Sequence, residues 1–162
     1  LTRAPWGDTS LQRRAASYLR RVLAHYRYEG VLNIEFFVRK GRLVANETAP
    51  RVHNSGHYTI EGCACSQFEN HVRAMFAWPL GSPAMIAPAA VMVNMLGSGA
   101  GSGEPRGLTE ALAVPGAHVH VYAKAKSGRG RKMGHLNITG ATPDETRRSA
   151  LQACEWLGLE GF

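Results

Sequence analysis

The stretch from Gly30 to Glu47 constrains this chain more than any other. Val31-Leu32-Asn33-Ile34-Glu35-Phe36-Phe37-Val38 is rich in β-branched and aromatic residues and reads as a strand. Arg39-Lys40-Gly41-Arg42 reads as a turn, and Leu43-Val44-Ala45-Asn46-Glu47 as the return strand of a β-hairpin. Glu35 sits mid-strand between Ile34 and Phe36. A carboxylate buried there is costly unless it is paired or bound to a cation. A plain tight turn sets Asn46, not Glu47, opposite Glu35, and a bulge would change that. In either register two carboxylates and an amide oxygen converge on one patch. Hard oxygen ligands of this kind suit Mg²⁺, which is often held by carboxylates together with nucleotide phosphates. The plainer alternative is a pair of surface glutamates on a solvent-facing strand.

The segment that follows is crowded with polar groups. Arg51, His53, Asn54, Ser55 and His57 fall within seven residues, with Pro50 and Gly56 shaping the backbone. A loop this polar at the end of a hairpin either faces solvent or lines a site. Arg51 can hold an oxyanion through two hydrogen bonds, and His53 can move a proton near neutral pH.

The remaining elements follow from periodicity. Asp8, Thr9 and Ser10 are helix-capping types. Leu11, Ala15, Tyr18, Leu19, Val22, Leu23 and Tyr26 then recur at helical spacing, predicting a helix to about Arg27. Arg13, Arg14, Arg20 and Arg21 fall on its solvated side. Ser66 caps a predicted helix over 67–76 with Phe68, Val72, Met75 and Phe76 inward. Residues 79–88 read as a linker, 91–96 as a short buried strand, and 97–107 as a glycine-rich mobile surface loop. Strands follow at 118–122 and 133–139, separated by a basic turn, and a last helix at 144–157. The composition shift near Pro88 marks a boundary between residues 1–90 and 91–162.

Composition narrows the class. The chain has 162 residues, 44% hydrophobic and 19% charged, enough to bury a core without metal or disulfide staples. Its net charge of +7 raises nucleic acid or anionic small molecules as partners. Three cysteines cannot all pair, and Cys63 and Cys65 sit too close to staple anything, so the chain reads as reduced and cytoplasmic. Its longest uncharged run is broken by Pro79, Pro83 and Pro88, which excludes a membrane span there. A chain that opens at Leu1 and runs at once into a helix reads as a fragment. His118 and His120 share one strand face but show no third ligand, and Cys63-x-Cys65 lacks zinc-knuckle spacing.

The run from Asn46 to His57 reads Asn-Glu-Thr-Ala-Pro-Arg-Val-His-Asn-Ser-Gly-His. It resembles the signature of the N5-carboxyaminoimidazole ribonucleotide synthase family, ATP-grasp ligases of purine biosynthesis; only Thr48 departs, replacing an apolar residue. Gly30 to Phe37, Ser66-Gln67-Phe68-Glu69, Pro79-Leu80, Met92 to Gly97 and Gly130 to His135 match further, in the family's order. The resemblance implies an α/β (α+β) fold: the second half of an ATP-grasp domain with an antiparallel sheet, then a small β-rich C-terminal domain. It also implies that the Rossmann-like domain and the first ATP-grasp subdomain are missing, leaving a fragment inactive alone.

The family reaction phosphorylates bicarbonate with ATP to carboxyphosphate, whose carboxyl carbon, or the CO₂ released from it, is attacked by the amine of 5-aminoimidazole ribonucleotide. By resemblance, Glu35 and Glu47 hold Mg²⁺ against the ATP phosphates, with Asn46 as a further ligand or orienter. Arg51 would stabilise bicarbonate or carboxyphosphate, and His53 would act as general base or positioner. Asn54, Ser55 and His57 would shape the acceptor pocket. Lys124, Arg131 and Lys132 would grip the ribonucleotide phosphate, although the family's Arg-Pro-Gly-Arg-Lys is here Gly128-Arg129-Gly130-Arg131-Lys132. The resemblance further implies a homodimer, possible fusion or partnership with the downstream mutase, and no nucleic-acid or membrane partner. Two other readings compete. One is a basic nucleic-acid-binding module, disfavoured because the arginines are scattered without an aromatic platform. The other is a different ATP-grasp carboxylase or formate-using ligase, disfavoured by the Arg51 to His57 string.

Overall fold

The computed structural model describes residues 9–99 and 104–159. The described chain divides into two compact units, one of residues 9–60 and 64–84, the other of residues 61–63 and 85–159. Asp8 of the expected helix cap and residues 100–103 of the glycine-rich loop lie outside the described residues.

In the first unit, α1 (Thr9–Tyr26) ends where Arg27 takes a positive φ of 48°. The hairpin follows as β1 (Asn33–Arg39) and β2 (Arg42–Ala49), antiparallel, with Arg39 paired to Arg42. Lys40 and Gly41 both have positive φ, 48° and 69°, as the tight two-residue turn of a hairpin requires. Strand alternation turns Ile34 and Phe36 toward α1, where they line an apolar groove of about 760 Å³ with Tyr18 and Val22. Glu35 therefore lies on the other face of the strand.

The hairpin is tied down at its base. Tyr28 donates its hydroxyl to the Pro50 carbonyl at 2.8 Å, and the Val31 N–H donates to His71 Nδ1 at 3.1 Å. His71 lies on α3 (Gln67–Met75), which comes after the short α2 (Thr59–Gly62). Ser66 caps α3 as the sequence predicts, accepting from the Glu69 N–H at 3.1 Å. The predicted inward face of this helix is corrected. Val72, Met75 and Phe76 are 47%, 62% and 64% exposed, and Phe76 stacks on exposed Trp78 instead of entering a core. Among the described residues of this unit only Ala49, His53 and Cys65 are buried. The apolar spacing is there, but the described chain supplies little to cover it.

The second unit has a core of its own. β3 (Ala89–Leu96), α4 (Leu108–Leu112), β4 (Ala117–Val121), β5 (Lys132–Gly140) and α5 (Pro143–Trp156) follow in order. The sheet is antiparallel with order β3-β5-β4. Central β5 is buried continuously from Met133 to Ile138, because both its faces are covered. Leu136 and Ile138 pack with Val93, Ala111, Val114, Ala150, Ala153 and Leu157. Thr142 caps α5 by accepting from the Glu145 N–H at 3.2 Å, with Pro143 at the first turn. Helix α4, just past the glycine-rich stretch, is an element the sequence does not predict. At the head of that stretch Gly97 is pinned by hydrogen bonds to Arg131 and Gly130. No helix among the described residues is long and apolar enough to cross a membrane.

Candidate active site

The hairpin register decides how its acidic residues meet. Glu35 pairs with Glu47, Phe36 with Ala45, and Asn46 is the extra residue of a bulge between them. A bulge sets two residues of one strand against one of its partner, so Asn46 and Glu47 both confront Glu35. Asn46 Nδ2 donates to Glu35 Oε2 at 3.3 Å. The Asn46 amide thus orients Glu35.

His53 completes the patch. Its Nε2 lies 3.6 Å from Glu35 Oε1 and 3.8 Å from Glu47 Oε2. Glu35, Glu47 and His53 each offer a ligand atom within 4.8 Å of the others. The chemistry of the donors separates them. The Ser55 backbone N–H donates to His53 Nδ1 at 3.3 Å, and a backbone amide can only donate. In the neutral ring the proton then sits on Nε2, facing the carboxylates. By donor chemistry the two carboxylates are the groups of this patch suited to hold a cation, with His53 as an N–H donor beside them. Their half-exposed oxygens fit a hard divalent cation that keeps part of its water shell. Arg51 also reaches the patch, with its guanidinium 3.6 Å from Glu47 and donating to the Val52 carbonyl at 3.1 Å.

The loop after His53 is a single 3₁₀ turn, Asn54–Gly56. Ser55 Oγ lies 2.8 Å from His53 Nδ1. The Asn54 side-chain oxygen is buried without a hydrogen-bond partner. His57 packs its ring 5.3 Å from that of Phe68. One residue missed by sequence reasoning holds this loop. Gln67 Oε1 accepts from the His53 N–H at 2.9 Å, while its Nε2 donates to the His53 carbonyl at 2.8 Å and lies 2.9 Å from His57 Nδ1. A helix-opening glutamine after a capping serine carries no such signal in sequence.

Glu35, Asn46, Glu47, Arg51, His53, Asn54, Ser55 and His57 are all in the first unit. Lys124, Arg131 and Lys132 belong to the second and form their own group. Lys124 Nζ donates to the Lys132 carbonyl at 2.5 Å and sits 5.5 Å over the Tyr122 ring, and Arg131 donates to the Lys126 carbonyl at 3.3 Å. The second unit also contains a partly buried polar group whose carboxylate sequence reasoning missed. Glu61 Oε1 lies 2.8 Å from His120 Nε2, and its Oε2 accepts from Asn137 Nδ2 at 2.5 Å. His120 stacks on His135 at 4.3 Å, and His135 Nδ1 lies 2.9 Å from the Tyr122 hydroxyl. Only the carboxylate partner of His120 was hidden, because 59 residues separate the two.

Residues 3–68 match the ATP-grasp domain family, and residues 90–149 match the phosphoribosylaminoimidazole carboxylase C-terminal domain. An N5-carboxyaminoimidazole ribonucleotide synthase of Vibrio cholerae is 44% identical over 153 residues. The chain is thus similar to one part of N5-carboxyaminoimidazole ribonucleotide synthases. The alignment covers 94% of this chain and 38% of that synthase, so the chain spans well under half the length of its relative. The synthetase structure from Thermus thermophilus superposes with a TM-score of 0.86 at 40% identity, over 98% of this chain and 42% of that one. A synthase from Aspergillus clavatus, solved with ADP and 5-aminoimidazole ribonucleotide, gives a TM-score of 0.82 at 32% identity, over 96% of this chain and 42% of that one. The mixed helices and antiparallel sheets agree with the α+β class that the synthase signature implies.

Proposed function

We propose that this chain carries the cation-binding and acceptor-side part of an ATP-dependent ligase that carboxylates 5-aminoimidazole ribonucleotide with bicarbonate, by way of carboxyphosphate. On this reading residues 1–90 are the C-terminal subdomain of an ATP-grasp domain and residues 91–162 the small C-terminal domain. The observation that carries it is the bulge that sets Asn46 and Glu47 together against Glu35, beside His53 and Arg51.

Glu35 and Glu47 are the Mg²⁺ ligands, and Asn46 keeps the Glu35 carboxylate turned toward the patch. The bound ion neutralises charge on the phosphates of ATP, which is most of what phosphoryl transfer needs from a protein. Arg51 can leave Glu47, with which it makes only a half-exposed contact at 3.6 Å, to pair with the carboxyl oxygens of bicarbonate or carboxyphosphate. His53 serves as a positioning donor, because both its ring nitrogens are committed: Nδ1 accepts from Ser55, and the Nε2 proton faces the carboxylates. Asn54, Ser55 and His57 shape the acceptor side, and the buried Asn54 oxygen offers an acceptor for an amine hydrogen. Lys124, Arg131 and Lys132 supply positive charge for a ribonucleotide phosphate. The reading places the reaction in the cytoplasm.

The test is ADP release that depends on 5-aminoimidazole ribonucleotide, with Mg²⁺ and bicarbonate. It is run on this chain alone and on the chain joined to the N-terminal part of a relative. Turnover in the joined protein, abolished by Glu35→Gln or Glu47→Gln with the fold intact, is the expected result. Undiminished turnover in those variants would overturn the ligand assignment, and a folded joined protein without turnover would overturn the activity.

A further inference from the structure

The loop that carries His53 and His57 is read by a single side chain. We propose that Gln67 is a positioning residue that locks His57 in the Nε2–H tautomer, so that His57 enters the acceptor side as a hydrogen-bond donor.

The orientation of the Gln67 amide is settled by its partners. Gln67 Oε1 is 2.9 Å from the His53 backbone nitrogen, which can only donate. Its Nε2 is 2.8 Å from the His53 backbone oxygen, which can only accept. Flipping the amide would break both bonds and set like groups against each other. Nε2 therefore faces His57 Nδ1 at 2.9 Å with its second hydrogen, and Nδ1 must be the acceptor. A neutral imidazole has one N–H, so the proton resides on Nε2.

The surroundings leave the glutamine little freedom. Its backbone N–H donates to Thr59 Oγ1 at 3.0 Å, and Thr59 donates in turn to the Gly56 carbonyl at 2.6 Å. A Cβ at residue 56 would come within 2.5 Å of Gln67 Oε1, so only glycine lets the amide approach the turn this closely. Phe68 packs against the His57 ring at 5.3 Å. The clamp thus fixes the His53 backbone and the His57 tautomer together.

What the donor serves, an acceptor atom on the substrate amine or carboxyl group, rests on the proposed function. The tautomer does not, and it can be measured without turnover. The experiment is a long-range ¹H–¹⁵N correlation of the histidine rings in the labelled full chain, with His57 assigned by loss of its signals in His57→Gln. The expected spectrum has a protonated Nε2 and an unprotonated Nδ1 for His57. Gln67→Glu keeps an acceptor for the His53 N–H but offers His57 a carboxylate, and should bring a proton onto Nδ1. Gln67→Met removes the amide at similar length and should give an average of both tautomers. A wild-type His57 protonated on Nδ1, or already averaging, would overturn the proposal whether or not the variants fold. So would an unchanged His57 signature in either folded variant. If ligase turnover is absent while the tautomer is as expected, the functional reading fails and this inference stands.

Discussion

Glu35 and Glu47 are direct cross-strand partners in the β1–β2 hairpin, two like charges at a position where sheets usually place an attractive or apolar pair. Both are partly exposed, which softens the repulsion. The repulsion still opposes folding in the absence of a cation, and the pair stands beside Asn46, Arg51 and His53.

Without divalent cation, Glu47→Gln should leave stability unchanged or raise it by roughly 0.5 kcal/mol, since the lost Arg51 contact is weak. Millimolar Mg²⁺ or Mn²⁺ should raise the Tm of the wild-type chain and leave that of Glu35→Gln or Glu47→Gln unmoved. Equal cation shifts in all three, by calorimetry, would remove the carboxylates from the site.

Gly56→Ala should destabilise the first unit by about 1–3 kcal/mol, because the new Cβ meets the Gln67 amide at 2.5 Å. Adding Gln67→Ala removes the colliding group, so the double variant should lose less than the sum of the two single losses. Strict additivity in denaturant melts would show that the two residues do not touch.

Gly116 has a φ of +78°, and a Cβ there would collide with the Thr139 carbonyl oxygen. Backbone cannot swing aside as a side chain can, so Gly116→Ala should cost about 2 kcal/mol or more. A variant with wild-type urea midpoint would contradict the pairing of this turn with β5.

Burial pushes the Cys154 thiol up to about 11 from an ordinary value of 9.0. Above pH 9 the unfolded chain releases this proton while the folded chain keeps it. Stability is therefore full below pH 9 and falls as pH rises from there toward 11. The loss should be steeper in the wild type than in Cys154→Ala between about pH 8 and 10.5; parallel curves would show that the thiol titrates alike in both states.

The first unit buries little of its own apolar surface. Phe37, Val44, Met75, Phe76, Trp78 and Leu80 are exposed, and the α1 groove is lined by Ile34 and Phe36. The chain on its own should self-associate at micromolar concentration. Sedimentation as a stable, monodisperse monomer would refute this. Charged substitutions at Phe76 and Trp78 should shift the distribution toward monomer.

Much of this was legible in the sequence because it is local. The Lys40-Gly41 turn, the Ser66 cap and the alternation of β1 are each written within a few residues. The synthase signature gathered Glu47, Arg51 and His53, and the fold brought Glu35 to them. The bulge could be anticipated only as an alternative, since a one-residue offset leaves no mark on composition. Val72, Met75 and Phe76 misled because helical spacing identifies an apolar face without saying whether anything covers it. Gln67 stands in the Ser66-Gln67-Phe68-Glu69 match, yet its task lies in bonds to His53, fourteen residues away. Glu61 was hidden by distance along the chain, with Asn137 76 residues beyond it.

That last pair bears on how the molecule can be dissected. Among the described residues the chain changes unit three times, after residues 60, 63 and 84, and the short visit at 61–63 delivers Glu61 to His120 and Asn137. A polypeptide begun at residue 91 would keep nearly all of its sheet and still lack the one carboxylate its polar face is built around. The two units are thus laced rather than strung, and neither can be excised with one cut and keep all its own parts.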